Sequence, residues 1–175
     1  QQRKRQLPVP WLVSAVLFAA LIAFGIYHYR VISQPKEAGR VSKLFFLLPE
    51  NTTPGNPGDL AISPNGRLIV FTGYADGQNH LFFRSLDSTE IKQLPRTEDA
   101  QFPFWSPDSN YVGFFGSGKL KRIDVVGGAP QIICNAPQGR GGAWTADGNI
   151  LFSPAFNLGL ARVSADGGEP TPITN

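Results

Sequence analysis

The sequence comprises 175 residues with a formal net charge of +3; 42% of the residues are hydrophobic and 17% are charged. This apolar content is enough to build a packed core and excludes an intrinsically disordered chain. The 19 glycines and 15 prolines are dispersed, which favours a turn-rich β protein over a helical one. The basic residues are scattered among acidic ones except for Arg3, Lys4 and Arg5, so we exclude a nucleic-acid partner.

The counts of methionine, cysteine and histidine restrict the chemistry further. The chain contains no methionine, and we therefore expect it to be a piece of a longer polypeptide. The single cysteine, Cys134, excludes an internal disulfide, and its isoleucine neighbours predict a packed strand residue. Two histidines, His28 and His80, are too few for a histidine-based triad or metal cluster. We expect no catalytic residue, metal or cofactor in this segment.

An uncharged stretch runs from Trp11 to Tyr29 near the start of the chain. As a helix it would extend about 28 Å, which matches the hydrocarbon core of a bilayer. A cleaved signal peptide is the weaker alternative, because the apolar run is too long and no small-residue cleavage motif follows it. The sequence therefore predicts a transmembrane helix at 9–30 that contacts membrane lipid. Three alanines recur at four-residue spacing on one face of this helix: Ala15, Ala19 and Ala23.

Those alanines predict a helix-mediated homodimer, with ordinary alanine content as the alternative. The basic residues close to the stretch are balanced between its two sides, but residues 1–8 hold a dense, acid-free cluster. This cluster predicts a cytoplasmic N-terminus. We therefore expect a single-pass inner (cytoplasmic) membrane protein in which a linker at 31–59 leads to a periplasmic or extracellular domain at 60–175.

The remainder of the chain repeats with a period of about 40 residues. Three segments share one pattern of strand end, turn and apolar strand: AISPNGRLIVF from Ala61, WSPDSNYVGFF from Trp105 and WTADGNILF from Trp144. The first residue of the turn recurs at intervals of 43 and 39 residues: Ser63, Ser106 and Thr145. An arginine recurs at intervals of 38 and 40 residues: Arg84, Arg122 and Arg162. Two markers with one period indicate true internal repeats.

Each repeat has the pattern of four short antiparallel strands, which is the composition of a propeller blade. The second strand of each repeat is almost continuously apolar, and this predicts burial on both faces between neighbouring blades. The predicted fold is all-β, a partial β-propeller of about three four-stranded antiparallel blades preceded by the transmembrane helix. Closed propellers have about four to eight blades, so we expect an open arc.

The segments SPNGRLIVF and FWSPDSNYVGFF, with the GG-x-P turns before the fourth strands, resemble TolB-like (WD40-like) β-propeller repeats from Leu60 to Asn175. The order of basic flank, apolar stretch, LFFLLPE segment and repeats is similar to bacterial membrane-anchored serine/threonine protein kinases. That resemblance implies an extracytoplasmic sensor or protein-binding propeller, with a kinase domain upstream. Two alternatives stay open: the propeller of a membrane-anchored prolyl-oligopeptidase-like peptidase, or of a winged-helix transmembrane regulator.

The loops that join one blade to the next gather on one face and differ between blades. Four polar residues in them are the predicted contacts for a protein or small-molecule ligand: Glu98, Asp99, Gln138 and Arg140. Ordinary solvated loops, or ion pairs across adjacent blades, are the alternatives. The hairpin GFFGSGKL from Gly113 nearly fits a phosphate-binding loop, but Leu120 stands where the metal-binding Ser or Thr is needed. We therefore exclude nucleotide binding there.

Overall fold

The computed structural model describes residues 9–32, 47–55 and 59–174. The helix α1 spans Val9–Ile32, and its side chains are described from residue 13 to residue 29. All of those side chains are exposed. The three alanines predicted to meet a second helix, Ala15, Ala19 and Ala23, fall on one face of α1 because they are four residues apart. Their dimer stays a prediction.

The predicted transmembrane helix at 9–30 needs correction. In the described part of the chain, no helix is long and apolar enough to cross a membrane. This finding contradicts the helical part of the predicted fold class and the predicted single-pass location in the inner membrane. The basic flank at 1–8 and most of the linker at 31–59 lie outside the described residues.

The β region forms three antiparallel sheets, one for each sequence repeat. The first blade contains β1 (Thr53–Pro54), β2 (Leu60–Ile62), β3 (Leu68–Ala75), β4 (Gln78–Ser85) and β5 (Ile91–Gln93). The second contains β6 (Gln101–Trp105), β7 (Tyr111–Gly116), β8 (Lys119–Asp124) and β9 (Gln131–Asn135). The third contains β10 (Arg140–Trp144), β11 (Asn149–Ser153), β12 (Ala161–Ser164) and β13 (Thr171–Pro172). The β part of the predicted fold is therefore present, with β1 and β2 sharing the place of one first strand beside β3.

The turn between the first and second strands has the same construction in every blade. In the second blade, the Ser106 hydroxyl donates to Asp108 at 2.5 Å and accepts the Tyr111 N–H at 2.9 Å. Ser63 and Thr145 make the matching bonds to Asn65 and Asp147 in the other two blades. These side chains satisfy backbone groups that the turn leaves unpaired. The repeated turn residues are therefore structural.

Apolar packing between the blades makes up the core. Strand β7 lies in the middle, and its side chains alternate between the two neighbouring sheets. Val112 and Phe114 pack with Val70 and Leu81 of the first blade, while Phe115 packs with Phe152 of the third. Each such side chain contributes about 1.5–3 kcal/mol when it leaves water. This double burial explains why the second strands are almost continuously apolar in sequence.

Polar contacts fix each blade against the next. The Trp105 indole N–H donates to the Ala61 carbonyl at 3.0 Å, from the second blade to the first. Between the second and third blades, Arg122 donates to Asp166 at 3.1 Å. The equivalent indole of the third blade, Trp144, instead stacks on Tyr111 with ring centroids 6.2 Å apart. The two tryptophans of the repeat therefore hold their blades in different ways.

Replacing Trp105 by Phe should destabilise the chain by about 1 kcal/mol, because the hydrogen bond from the indole to the half-buried Ala61 carbonyl is lost. The matched change Trp144→Phe keeps an aromatic ring for stacking and should cost less. Urea unfolding of both variants, monitored by circular dichroism, measures the difference. Equal losses in the two variants would show that ring area, and not the hydrogen bond, explains the effect of Trp105.

His80 is an uncompensated polar group inside the first blade. Its side chain lies in β4 opposite Gly73 and is only 6% exposed. Neither ring nitrogen has a hydrogen-bond partner among the described residues. An unsatisfied buried polar group costs about 1–3 kcal/mol. His80 therefore opposes the stability of the blade in which it lies.

We expect His80→Leu to stabilise the chain by about 1 kcal/mol, since the apolar side chain fills similar space without unpaired nitrogens. His28→Leu, at an exposed position of α1, is the control and should leave the unfolding midpoint of the β region unchanged. Thermal and urea unfolding provide the measurement. A lower midpoint for His80→Leu would mean that the imidazole is hydrogen-bonded in solution.

Candidate functional site

The connections between strands lie at the two opposite ends of the strands, because antiparallel strands reverse direction at each turn. Each set of strand ends forms one surface of the β region. The turns between first and second strands occupy one face, which we call the turn face. The opposite face, here the loop face, contains the β7–β8 turn, the β11–β12 loop and the loops between blades. The turn face is built from repeated residues, whereas the loop face varies from blade to blade.

A groove of about 460 Å³ opens on the loop face between the second and third blades. We call it the inter-blade groove. Buried Phe115 and Gly139 and half-buried Phe102 form its apolar floor. Five polar side chains line its walls: Asp99, Gln101, Ser117, Gln138 and Arg140. Phe156, from the β11–β12 loop, lines it as well and is 76% exposed.

The two charged side chains of the groove differ in how they are held. Asp99 accepts a hydrogen bond from the Ser117 hydroxyl at 3.2 Å. Arg140 places its guanidinium over the Phe156 ring, 5.2 Å from the ring centroid. Among the described residues, the Arg140 guanidinium has no hydrogen-bond acceptor and no ion-pair partner. The stacking holds the arginine in place and leaves its N–H groups free for a ligand.

Three of the four residues predicted from sequence meet in this groove: Asp99, Gln138 and Arg140. Glu98 does not line it. Its backbone carbonyl lies beside Gly116, where an added Cβ would come within 3.1 Å of the oxygen. The predicted ion pairs of Arg140 with Glu98 or Asp99 are absent from these described loops, since Arg140 stacks on Phe156 instead. Binding by these residues stays a prediction.

The floor depends on unusual backbone conformations. Phe102 has φ of +49°, in the left-handed region that costs a non-glycine residue about 1–2 kcal/mol. It lies at a register shift between β6 and β7, and Gly141, with φ of +54°, occupies the equivalent shift between β10 and β11. Gly139 is required for a different reason, because a side chain there would overlap the Phe115 ring. The groove is thus set by two bulges and one close approach.

Asp59 supports the Phe102 bulge from the first blade. Its side chain is buried, and its carboxylate accepts the Phe102 N–H at 3.1 Å and the Thr72 hydroxyl at 3.2 Å. Burial raises the pKa of the Asp59 carboxyl, and the hydrogen bonds from Phe102 and Thr72 oppose that rise. The folded chain therefore holds the Asp59 proton more tightly than the unfolded chain does.

Asp59 should contribute stability below its unfolded pKa and lose that contribution as pH rises through its higher folded pKa. Asp59→Asn keeps an acceptor oxygen without the charge, so it should be more stable than the wild type at pH 7, with the difference vanishing in acid. Urea midpoints from pH 3 to pH 7 give the measurement.

Asp108→Asn is the control of opposite sign. The hydrogen bond from Ser106 lowers the pKa of Asp108, so its stabilising contribution is present at neutral pH and lost as pH falls through the folded value. We therefore expect Asp108→Asn to weaken the fold at pH 7 and to be harmless in acid. If Asp59→Asn behaved like Asp108→Asn, the Asp59 charge would be stabilising, and the inference that folding raises the pKa of Asp59 would be wrong.

Sequence reasoning missed the aromatic part of the groove. The sequence around Phe102 does not reveal its positive φ. Phe115 is one of many phenylalanines in the predicted strands, so nothing in the sequence distinguishes it. Phe156 could have been found, because the connection between the second and third strands is much longer in the third repeat than in the first two. Binding residues are often located on loops that a rigid scaffold positions.

Two features that the sequence set aside behave as expected. The GFFGSGKL segment forms the β7–β8 hairpin, in which the Lys119 ammonium donates to Asn135. Cys134 is buried in β9, and burial, with a smaller effect from the Glu169 charge, raises the pKa of its thiol to about 11. A thiol with this pKa remains protonated at neutral pH. Within the described residues, no three His, Cys, Asp or Glu side chains are grouped to hold a metal.

Comparison with solved structures identifies the fold. A putative TolB from Agrobacterium tumefaciens matches 70% of this chain with 19% identity and a TM-score of 0.59, over 50% of its own length. TolB from Acinetobacter baumannii matches 67% of this chain with 19% identity and a TM-score of 0.55, over 32% of its length. A puromycin hydrolase S511A mutant complexed with PGG matches 66% with 19% identity and a TM-score of 0.54, over 21% of its length.

No family model and no curated protein matches the chain. At 19% identity the solved structures show the fold alone, and that fold is a partial TolB-like β-propeller. The chain spans half of the Agrobacterium protein and about a third of the Acinetobacter protein. The resemblance to TolB-like repeats is thus confirmed at the level of the fold, while the kinase context has no support in these comparisons.

Proposed function

We propose that this chain is a non-catalytic, partner-binding part of a β-propeller within a longer protein. The loop face is the binding surface, and its ligand is a polypeptide. The observation that carries this proposal is the inter-blade groove, which joins an apolar floor to polar side chains from loops that differ between blades. Ligand pockets commonly enclose about 300–1,000 Å³ and combine an apolar lining with a few polar groups.

A peptidase propeller is the second candidate. It is favoured by the shared fold of the puromycin hydrolase, an enzyme of which this chain matches only 21%. In that case the hydrolase domain would lie elsewhere in the longer protein, and the propeller would still bind peptide without cleaving it. The receptor-type kinase rests on the sequence resemblance alone, and its membrane-spanning helix is contradicted. The winged-helix regulator rests on sequence alone as well.

The proposal is tested by selecting binders for the full chain from a random-peptide display library and mapping the bound peptide by hydrogen exchange. We expect slower amide exchange in the loops at 94–100 and 136–139, and unchanged exchange in the turns at 64–66 and 107–109 of the turn face. Loop amides exchange quickly when they are exposed, so a bound peptide should change them most.

Failure to select any peptide, or protection confined to the turn face, would refute the proposed function. The same full chain should not release p-nitroaniline from aminoacyl p-nitroanilides. If repurified protein still released p-nitroaniline, this segment would be catalytic, and the proposal of a non-catalytic propeller would be wrong.

A further inference from the structure

The inter-blade groove keeps an aromatic ring at a backbone position where glycine would be free of strain. Phe102 and Gly141 occupy equivalent register shifts with nearly the same φ, +49° and +54°. The third blade therefore makes this bulge without a side chain, whereas the second blade retains a bulky one. Strained residues of this kind concentrate at functional sites. The Phe102 ring lies on the floor of the groove, where it adds apolar surface.

A second ring adds apolar surface to the same groove. Phe156 lies on the β11–β12 loop with 76% of its surface exposed, although an exposed phenylalanine gains little for the fold. Leu158, on the same loop, is 58% exposed but does not line the groove. Phe102 and Phe156 together provide an apolar site of limited volume, suited to one large side chain and not to a flat protein surface.

The charged residues of the groove indicate which group of the ligand lies beside that apolar side chain. Arg140 stacks on Phe156 at 5.2 Å, and its guanidinium has no acceptor among the described residues. Asp99 already accepts the Ser117 hydroxyl, so the unmatched group is the cation. A guanidinium pairs best with a planar carboxylate through two parallel hydrogen bonds. The Asp99 charge in the same lining disfavours a multiply charged anion such as phosphate.

We infer that the inter-blade groove recognises a peptide residue with a large apolar side chain next to a single carboxylate. The side chain lies against Phe102 and Phe156, and the carboxylate pairs with Arg140. This inference rests on the proposed function and names the ligand chemistry of the same site. The carboxylate comes either from the C-terminus of the peptide or from an adjacent acidic side chain, and the two sources are separable by experiment.

Isothermal titration of the full chain with three probes tests this chemistry. The probes are acetyl-Ala-Ala-Phe with a free carboxylate, the same peptide as its amide, and acetyl-Ala-Asp-Phe amide. We expect at least one carboxylate peptide to bind about tenfold more tightly than the uncharged amide. Tighter binding of the free acid assigns the C-terminus, and tighter binding of the aspartyl peptide assigns the side chain. Inorganic phosphate should compete no better than acetate.

Substitutions test which side chains of the groove are responsible for binding. Arg140→Ala should abolish the preference for carboxylate, while Arg67→Ala, which removes an exposed arginine from the turn face, should not. Phe156→Ala should weaken all probes, and its matched control, Leu158→Ala, should not. Phe102→Gly should weaken binding, and the relief of backbone strain should offset part of the packing that the ring loses against the core.

Equal binding of charged and uncharged probes, or a preference that survives Arg140→Ala, would overturn the inference. The same holds if none of the three probes binds. Because Arg140 and Phe156 are exposed, their variants should fold even if Phe102→Gly does not, and they decide the outcome. Library peptides that bind the loop face independently of Arg140 would leave the proposed function standing and refute only this ligand chemistry.

Discussion

Burial of both faces of the middle sheet is the constraint on which the structure depends. A four-stranded blade cannot bury its apolar side chains alone, so it depends on neighbouring sheets to cover them. In the second blade, Val112 and Phe114 pack towards the first blade and Phe115 towards the third. The stacking of these sheets sets the spacing of the blades. The loops at their ends, and the groove between them, follow from that spacing.

Apolar packing alone would allow neighbouring sheets to slide, since the hydrophobic effect has no direction. Directional contacts remove this freedom. The Trp105 indole bonds to the Ala61 carbonyl, the Asp59 carboxylate bonds to the Phe102 N–H, and Arg122 pairs with Asp166. Each of these joins one blade to the next at a distance of about one repeat along the chain. They hold the loop face in one arrangement, which a binding surface requires.

The inter-blade groove arises where this repetition is broken. Both later blades have a bulge at the start of the first strand, but one uses Phe102 and the other Gly141. The connection between second and third strands is short in the second blade and long in the third, where it carries Phe156. The turn-face residues repeat from blade to blade, so neighbouring blades stack in the same way. The loop-face residues differ between blades and can therefore shape the groove. Function in repeat proteins is commonly located in this way.

The sequence by itself determined the number of blades, the places of their strands and the positions of the turns between first and second strands, because these depend on local periodicity and turn chemistry. It also located Asp99, Gln138 and Arg140 on the variable loops. It misjudged the apolar stretch at 9–30, since low charge over a suitable length is not by itself a membrane span. Only the tertiary structure decided that Glu98 lies outside the groove and that Arg140 stacks on Phe156 instead of pairing with an acid. The φ of Phe102 and the close approach of Gly139 to Phe115 were equally hidden, because they depend on contacts between strands that are distant in sequence.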